Sequence, residues 1–406
     1  MDKYDLIIVG AGAAGLFAAV RAKGLRVLVL EKNNTPGKKL LISGSGRCNI
    51  THEGKISDFF IHFGDKGKFL KNALYAFPNK AVVDFFENNK VETITDKNGK
   101  IFPKTQQAKD ILDAFLKNML HCDVLYNAQV VDVSTVSGIF EVKTSTGTYY
   151  ALNVLLTTGG MSYPHTGSSG DGYQWAKQWG HTVIPPKPAL VPVYNHTLAF
   201  DRLMGVSLSQ MPITLYRQGK KIKEHVGDIV FTHKGVSGPG ILDFSRFIVR
   251  ADILKINFSK QQKEDFHALV LQHIEHKGKA TVNIVTKTLN LPKSLILFLF
   301  EKVNIDYTIK LGELTRMQRL SLVDVFTDFS IEVERLGSFS SAMVTNGGVS
   351  LNEINPKTME SKLVNGLYFA GEVMDIDGDT GGYNLQAAFS TAYVAINSIK
   401  NTIKRS

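Results

Sequence analysis

Residues 4–31, YDLIIVGAGAAGLFAAVRAKGLRVLVLE, contain the pattern that decides the fold. An apolar run from Leu6 to Val9 leads into the spacing Gly10-Ala-Gly12-Ala-Ala-Gly15, and a helix is predicted from about Ala13 to Lys23. A second apolar run then ends in Glu31, which is typical of a buried parallel strand. The stretch therefore predicts a strand, a Gly-rich turn, a helix and a second parallel strand.

The three glycines of this turn have distinct predicted roles. Gly10 permits the tight turn, Gly12 lets the backbone approach a pyrophosphate, and Gly15 lets the helix and the strand pack closely. The free N–H groups at the start of the helix favour an anion. Glu31 would hold a pair of ribose hydroxyls, and it disfavours the 2′-phosphate of NADP. These features predict a dinucleotide site, but they do not distinguish FAD from NAD.

A second strand, turn and helix near the end of the chain favours FAD. Residues 366–392, GLYFAGEVMDIDGDTGGYNLQAAFSTA, place an apolar strand before Gly371, then an Asp- and Gly-rich loop, then a helix from near Asn384. Asp375 or Asp377 is expected to bind the ribityl chain or a water beside the pyrophosphate. The helix N-terminus is expected to face the pyrimidine edge of the flavin and to stabilise negative charge on the reduced ring.

The stretch LLISGSGRCNITH, residues 40–52, is interpreted as a second wall of the same site. Gly44 and Gly46 let the backbone pass close to a flat ring or a pyrophosphate. Arg47 is expected to steady the reduced flavin anion or to grip an anionic substrate. Cys48, beside that arginine, is predicted to have a lowered pKa and is a candidate proton donor for C=C reduction. The alternative is that Cys48 is a small packed side chain.

Two further loops contain candidate proton donors. Tyr163 and His165 belong to TTGGMSYPHTGSSGDGYQWA, residues 157–176, which is expected to wrap the FAD or to shape the substrate pocket. His233 belongs to FTHKGVSGPG, residues 231–240. The alternative to a catalytic role for His233 is that this segment is a lid turn with a structural role only.

The chain resembles the HI0933-like family of flavoproteins, one of whose labels is the aminoacetone oxidase family. The matching stretches are DLIIVGAGAAGLFAA, KLLISGSGRCNIT, TTGGMSYPHTGSSGDGYQWAKQWGH, FTHKGVSGPGIL and GGVSLNEINPKTMESKLVNGLYFAGEVMDIDGDTGGYNLQAAFSTA. They span nearly the whole chain. Ser45 is a departure, since many relatives have glycine there. The resemblance implies an α/β fold: a Rossmann-like FAD-binding domain of the two-dinucleotide-fold type, interrupted by an inserted β-barrel and helical region.

The domain boundaries follow from the resemblance and from one composition shift. PPKPALVPV, residues 185–193, is rich in proline, which disfavours helix and central strand. We therefore expect the FAD-binding domain at 1–188 and 340–406. The inserted substrate-side region is expected at 189–339, strand-rich over about 189–252 and helical over about 258–330.

The residues predicted to contact FAD lie in or beside the matched stretches and the strands between them. They are Gly10, Gly12, Ala14, Gly15, Glu31, Lys32, Lys38, Gly44, Gly46, Arg47, Asn49, Val130, Thr158, Gly159, Gly371, Glu372, Asp375, Gly382, Tyr383, Asn384 and Leu385.

Composition excludes several classes of protein. The 406 residues include two cysteines, Cys48 and Cys122, so a disulfide scaffold, a zinc cluster and a dithiol redox pair are not supported. No apolar run approaches the about 18 residues needed to cross a membrane, and no signal peptide is evident, so a cytoplasmic protein is expected. The net charge of +10 fits either a solvated basic surface or RNA, as does the cluster RQGKKIKEH at 217–225.

The leading functional prediction is hydride transfer from reduced flavin to an activated C=C or C=N bond. The resemblance implies it, since family members are linked to reduction of a steroid-type enone and of a uridine in ribosomal RNA. One alternative is an amine oxidase that uses O₂, and another is an RNA-binding flavoprotein with structural FAD. No second GxGxxG is present, so NAD(P)H is expected at most as a transient donor. The substrate and the oligomeric state stay open.

Overall fold

The computed structural model describes residues 3–198 and 200–404. Within them the chain divides into two compact units, one made of the described residues up to Ala189 and from Phe339 onward, the other of Leu190–Ser338. Each unit has its own buried apolar cluster. No helix in the described ranges is both long enough and apolar enough to cross a membrane.

The strands and helices are numbered in chain order. The strands are β1 Lys3–Val9, β2 Val27–Leu30, β3 Thr51–His52, β4 Thr93–Thr95, β5 Lys100–Pro103, β6 Asp123–Leu125, β7 Val130–Val136, β8 Ile139–Thr144, β9 Thr148–Leu156, β10 Val183–Ala189, β11 Val193–Tyr194, β12 Ser207–Arg217, β13 Lys220–Thr232, β14 Gly235–Ser237, β15 Ile253–Ile256, β16 Phe329–Glu332, β17 Arg335–Leu336, β18 Val344–Val349 and β19 Leu367–Phe369. The α-helices are α1 Ala13–Arg21, α2 Lys38–Ile42, α3 Gly67–Ala76, α4 Asn79–Asn88, α5 Ala108–Asn118, α6 Asp171–Gln178, α7 Pro239–Phe244, α8 Lys263–Lys277, α9 Lys293–Lys302, α10 Arg316–Thr327 and α11 Tyr383–Ile403.

The first unit is built on a parallel sheet that positions the Gly-rich turn. β1 pairs in parallel with β2 and β9, β2 pairs with β6, and β19 pairs with the second half of β9. The parallel strands therefore run in the order β6-β2-β1-β9-β19. The apolar runs of β1, β2 and β19 and of the second half of β9 are buried, as expected for parallel strands covered on both faces. The predicted Rossmann-like fold is confirmed.

The alternating stretch VLYNAQVVDVSTVSGIFEVKTSTGTYYALNVLLTTGG, residues 124–160, contains Gly turns and predicts a strand, a three-stranded antiparallel excursion and a return strand ending at Gly159. The excursion is present in the structure, with one difference. β7 and β8 pair antiparallel, and β8 pairs antiparallel with the first half of β9. The third antiparallel strand and the return strand are thus the same strand, β9. The first half of β9 pairs with β8 and the second half pairs with β19, so the two strands lie one after the other along the same edge of β9.

The apolar periodicity of KAVVDFFENN, residues 80–89, and AKDILDAFLKNML, residues 108–120, predicts that residues 69–120 are mostly helical, and this prediction is incomplete. α3, α4 and α5 are present, but β4 and β5 interrupt them and form a three-stranded antiparallel sheet with β3. The turn between β4 and β5 explains the interruption: the carboxylate of Asp96 accepts the N–H groups of Asn98 and Lys100 at 2.8 and 3.0 Å. Such side-chain-to-backbone bonds favour a turn over a helix.

The proline-rich segment forms a strand, β10, which pairs with β18 in a two-stranded sheet with an irregularity between Ile184 and Lys187. Proline is tolerated there because a strand in a two-stranded sheet needs hydrogen bonds on one side only.

The second unit contains a seven-stranded antiparallel sheet in the order β16-β15-β12-β13-β14-β11-β17, together with α7 to α10. Its two end strands are consecutive in sequence, separated by Val333 and Glu334. Three Cα–Cα steps span at most about 11 Å. The two edges of the sheet are therefore close together, and the sheet curls into a barrel, as the fold prediction expected.

Candidate cofactor and active site

The Gly-rich turn between β1 and α1 has open space at its central glycine. Gly10 has a φ of +102°, which favours glycine. A Cβ added to Gly15 would lie 1.9 Å from the carbonyl oxygen of Gly10, so Gly15 is required for the turn to pack on α1. A Cβ added to Gly12 would meet no atom within 4 Å. Packing within the protein therefore does not require a glycine at position 12, and the open space beside it suits a phosphate group of a ligand.

Glu31 connects the end of β2 to this turn. One carboxylate oxygen accepts the N–H of Ala11 at 2.8 Å, and the other accepts the backbone and side-chain N–H groups of Asn33 at 2.8 and 2.7 Å. The backbone N–H of Ala128 donates to the carbonyl oxygen of Glu31 at 3.0 Å, and Val130, the first residue of β7, follows two positions later. Glu31, predicted to bind the ribose, and Val130, predicted to contact FAD, therefore lie close together.

In the loop 43–49, residues 44–47 are exposed and the backbone is unusual. Gly44 and Gly46 have φ values of +55° and +83°, and Ser45, the departure from the family pattern, has +59° in the same left-handed region. Arg47 is exposed, and its guanidinium lies 4.7 Å from the ring centre of Phe102. The backbone of this loop is therefore accessible to a ligand over four consecutive residues.

The predicted lowering of the Cys48 pKa is wrong. The side chain is 0% exposed, and burial raises the pKa of the Cys48 thiol to about 12. Arg47 extends over Phe102 and lies in the exposed part of the loop, so its charge does not offset the desolvation of the thiol. These observations favour the alternative that Cys48 is a packed side chain, while its role in catalysis stays an untested prediction.

Two buried side-chain atoms beside the turn and the loop have no hydrogen-bond partner among the described residues: Oδ1 of Asn49 and Oγ1 of Thr158. Buried polar atoms are usually satisfied, so an atom that no protein group pairs is suited to bond a ligand. Both residues were predicted to contact the cofactor.

The segments around residues 159 and 371 approach the start of α1. Gly159 and Gly371 both have positive φ, +71° and +75°. A Cβ added to Gly371 would lie 3.0 Å from the Cβ of Ala14 and 3.7 Å from that of Ala388 in α11. The C-terminal strand and helix are therefore in contact with the N-terminal turn region, which is what a dinucleotide touched from both chain ends requires.

Glu372, a predicted FAD contact, forms the centre of a polar cluster, and its pairing with Lys39 was not predicted. Its carboxylate accepts Lys39 Nζ at 2.7 Å, Ser162 Oγ at 2.9 Å and the N–H of Thr345 at 2.7 Å. Among the predicted lysines, Lys32 pairs with Asp171 at 2.6 Å, and Lys38 begins α2 with its side chain half-exposed.

The Asp-rich loop before α11 is held by Lys66, which was not predicted. Lys66 Nζ lies 2.6 Å from Asp375 Oδ1 and 2.9 Å from Asp377 Oδ1. Burial alone would lower the pKa of Lys66, but the carboxylates of Asp377 and Asp375 outweigh it and raise that pKa. Both predicted carboxylates are thus engaged by one ammonium group, and their direct contact with FAD stays a prediction.

The start of α11 carries an aromatic stack. The ring of Tyr383 lies 3.9 Å from that of His62 and 5.2 Å from that of His52, with interplanar angles of 15° and 14°. His62 Nδ1 lies 2.9 Å from Asp379 Oδ2, and no bond of its Nε2 is recorded among the described residues. A carboxylate and a stacked ring thus fix the imidazole, and its second nitrogen is available for proton transfer.

The remaining predicted residues lie as follows. Asn384 bonds to the N–H and carbonyl oxygen of Gly378 at 2.7 and 2.9 Å, so it closes the Asp-rich loop. Gly382 faces the backbone of Thr51, and Leu385 is half-buried. Tyr163 is half-buried, and burial raises its pKa.

Two candidate histidines lie in exposed positions. His165 is exposed, with its ring 5.9 Å from that of Tyr163. His233 belongs to the second unit, in the turn between β13 and β14, 3.7 Å from Asp201.

The missed interactions have one feature in common: each joins two residues that are far apart in sequence. Lys39 and Glu372 are 333 positions apart, and His62 and Asp379 are 317 positions apart. Composition offers no signal for such a pair. For His62 and Lys66 the only local signal was a cluster of ionisable residues within FFIHFGDKGK.

The residues present fit FAD. The open space at Gly12, the accessible loop 43–49, and the unpaired atoms of Asn49 and Thr158 together offer backbone N–H groups and polar side chains to a phosphate-bearing ligand. Glu31 offers a carboxylate to a ribose.

Comparison with known proteins agrees with this geometry. The family model described as HI0933-like protein Rossmann domain matches residues 4–398. The ribosomal RNA dihydrouridine synthase of Escherichia coli (strain K12) is 31% identical over 405 residues, which cover 98% of this chain and 98% of that protein. The 3-dehydro-bile acid delta(4,6)-reductase of Clostridium scindens is 31% identical over 406 residues, which cover 96% and 97%.

Among solved structures, the 3-ketosteroid delta1-dehydrogenase from Sterolibacterium denitrificans, crystallised with 1,4-androstadiene-3,17-dione, has a TM-score of 0.52. The match covers 99% of this chain and 100% of that one, at 13% identity. At this identity the likeness concerns the fold alone.

Proposed function

Because this chain belongs to the HI0933-like family, we propose that it is an FAD-dependent reductase that saturates a C=C bond conjugated to a carbonyl group, and that its substrate is a uridine in ribosomal RNA. The observation that carries the cofactor assignment is the open space at Gly12, flanked by the Glu31 carboxylate and by the start of α1. When bound, FAD supplies the hydride for the reaction.

The names of the two curated relatives support the choice of a C=C bond. One is a dihydrouridine synthase and the other a delta(4,6)-reductase, so both names describe the saturation of a carbon–carbon double bond. Each aligns with nearly its whole length. Uridine is preferred to a steroid here because the net charge of +10 favours a polyanionic substrate.

Different residues of the chain are proposed to bind different parts of FAD. The Gly12 turn and the α1 N-terminus bind the pyrophosphate, and Glu31 binds the ribose hydroxyls. Asn49 and Thr158 supply polar atoms that the protein itself leaves unpaired. NAD(P)H is proposed as a transient electron donor, and a separate measurement of flavin reduction by NADH and NADPH tests this.

The proton is proposed to come from His62. Saturation of the bond needs one hydride at one carbon and one proton at the other. Asp379 and Tyr383 fix the imidazole, with Nδ1–H facing the Asp379 carboxylate. The donor is then the imidazolium form, which would give up its Nε2 proton and return to neutral imidazole. The raised pKa of Cys48 makes the thiol a poorer proton donor at neutral pH.

The test is a measurement of dihydrouridine in ribosomal RNA. A strain lacking the gene should lose the modified base, and wild-type protein should restore it. The Gly12→Ala variant should not restore it, although its fold is preserved. Unchanged dihydrouridine in the deletion strain would contradict the proposed substrate. Peroxide release from a small amine, with no reduction of RNA, would instead favour the amine-oxidase alternative.

A further inference from the structure

The strands β12 and β13 form a hairpin whose β13 strand begins with basic, exposed residues. β12 ends at Arg217 and β13 begins at Lys220, with two residues in the turn. The first five residues of β13, from Lys220 to Glu224, are all exposed, and regular burial begins only at Gly227. The exposure is confined to β13, because Leu215 of β12, which pairs with Lys223, is 0% exposed.

Several cations of this region lack a carboxylate partner. Lys220, Lys223 and Arg250 make no ion pair among the described residues, whereas Arg217 pairs with Asp252 at 2.8 Å. Lys221 pairs with Glu224. Surface lysines and arginines left unpaired on one hairpin and its neighbouring loop produce a local excess of positive charge.

Exposed apolar side chains lie among these cations. Phe247 is 43% exposed, and the ammonium of Lys223 lies 3.6 Å from its ring centre. Ile222 and Val249 are 46% and 47% exposed. A flat ring beside cations is the combination that proteins use to stack a base while neutralising its phosphates.

We propose that this hairpin surface, defined as Lys220, Ile222, Lys223, Phe247, Val249 and Arg250, docks a single-stranded segment of RNA. The three unpaired cations contact phosphates, and Phe247 stacks on a base. The inference rests on the proposed function, since it assigns the surface by which an RNA substrate is held.

RNA is favoured over an acidic protein or a lipid surface by the chemistry of the patch. An exposed aromatic ring already in contact with a cation matches an unstacked base, and single strands expose both the phosphate and the base face. An acidic peptide would neutralise the cations but would offer no flat ring to stack on Phe247.

The test compares, by fluorescence anisotropy, the binding of a short unstructured RNA to the flavin-loaded wild-type protein and to three flavin-loaded variants. The first variant carries Lys220→Ser, Lys223→Ser and Arg250→Ser. The control carries Lys279→Ser, Lys287→Ser and Lys310→Ser, three exposed lysines of the same unit. A third variant is Phe247→Ala.

The hairpin variant should bind RNA at least about tenfold more weakly and should show a smaller salt dependence, by a slope of about 2 for three lost phosphate contacts on a single strand. Phe247→Ala should weaken binding about fivefold or more without changing the salt slope. The lysine control should bind as wild type does. Equal weakening by the control, or no weakening by either test variant, would overturn the proposal.

Two further readouts separate this inference from the proposed function. FAD content and the rate of flavin reduction should be unchanged in all variants; a loss of FAD in the hairpin variant would overturn the docking assignment. Vesicles containing phosphatidylserine serve as a competitor, and stronger binding to vesicles than to RNA would also overturn it. If the hairpin variants lose RNA binding while wild-type protein reduces no uridine, the docking surface stands and the proposed reaction fails.

Discussion

The carboxylate of Glu31 accepts the backbone N–H of Ala11 at 2.8 Å, so the end of β2 is fixed against the Gly-rich turn that follows β1. The change Glu31→Ala removes this acceptor and the one used by Asn33. Charge-assisted bonds contribute about 1.5–3 kcal/mol each. We expect the dissociation constant for FAD, measured by titration of the apoprotein, to rise about 10- to 100-fold. The change Glu275→Ala, at an exposed position of α8, should leave it unchanged.

The glycines of the turn offer a matched pair of changes. Gly12→Ala should preserve the melting temperature of the apoprotein but abolish FAD binding, because the added methyl enters open space. Gly15→Ala should destabilise the apoprotein by several kcal/mol, since its methyl would lie 1.9 Å from a backbone oxygen. Calorimetry of both apoproteins with an FAD titration checks this. Full FAD binding by Gly12→Ala would remove the main support for the cofactor assignment.

Cys48 should be unreactive in the native protein. With a pKa of about 12, its thiol is ionised in about one molecule in ten thousand at pH 8. Alkylation by iodoacetamide, followed by mass spectrometry, should be slow until the protein is unfolded. Cys48→Ala should retain FAD and turnover within about twofold, apart from the stability lost with a buried side chain. A large loss of turnover with FAD still bound would restore the thiol as a proton donor.

His62 should matter for transfer to the substrate but not for reduction of the flavin. His62→Gln is expected to slow reoxidation of reduced protein by substrate by about 10²- to 10⁴-fold, the usual contribution of a positioned proton donor. The rate of flavin reduction should not change. His165→Gln is the control. His165 is exposed, and among the described residues no carboxylate lies within ion-pair distance of it. A slowing confined to His165→Gln would move the assignment to that residue.

His181 gives the first unit a pH-dependent stability. The side chain is 3% exposed, its Nε2 lies 2.9 Å from Ser361 Oγ, and burial lowers the pKa of the imidazole. Because the folded state binds the proton less well, its stabilising effect is present above the unfolded pKa of about 6.5 and is lost as the pH falls below it. The slope is at most about 1.4 kcal/mol per pH unit. Urea unfolding at pH 7 and pH 5.5 should show this loss, and His181→Asn should reduce the pH dependence.

The elements closest to the Gly-rich turn could be predicted because their signals are local. The apolar runs of β1 and β2, the spacing from Gly10 to Gly15 and the acid at Glu31 lie within 31 residues, and each has a direct physical reason. The excursion β7–β9 also followed from alternation and glycine turns.

The features that were missed depend on contacts far apart in sequence or on the direction of a side chain. β4 and β5 have three and four residues, too few for a clear alternating pattern. The pairs Lys39–Glu372 and His62–Asp379 form only after folding. The wrong pKa direction for Cys48 came from its neighbour in sequence. The backbone of this loop turns through left-handed conformations, so Arg47 extends outward while Cys48 is buried.

The central claim is most directly tested by single-turnover reoxidation of the reduced protein without oxygen. The purified flavoprotein is reduced, mixed with ribosomal RNA that lacks dihydrouridine, and monitored by the return of the oxidised flavin absorbance, with the RNA analysed for dihydrouridine. We predict reoxidation that matches dihydrouridine formation one to one, and none with RNA that already carries the modification. Flavin that stays reduced with RNA, and that is reoxidised only when oxygen is admitted, would contradict the account.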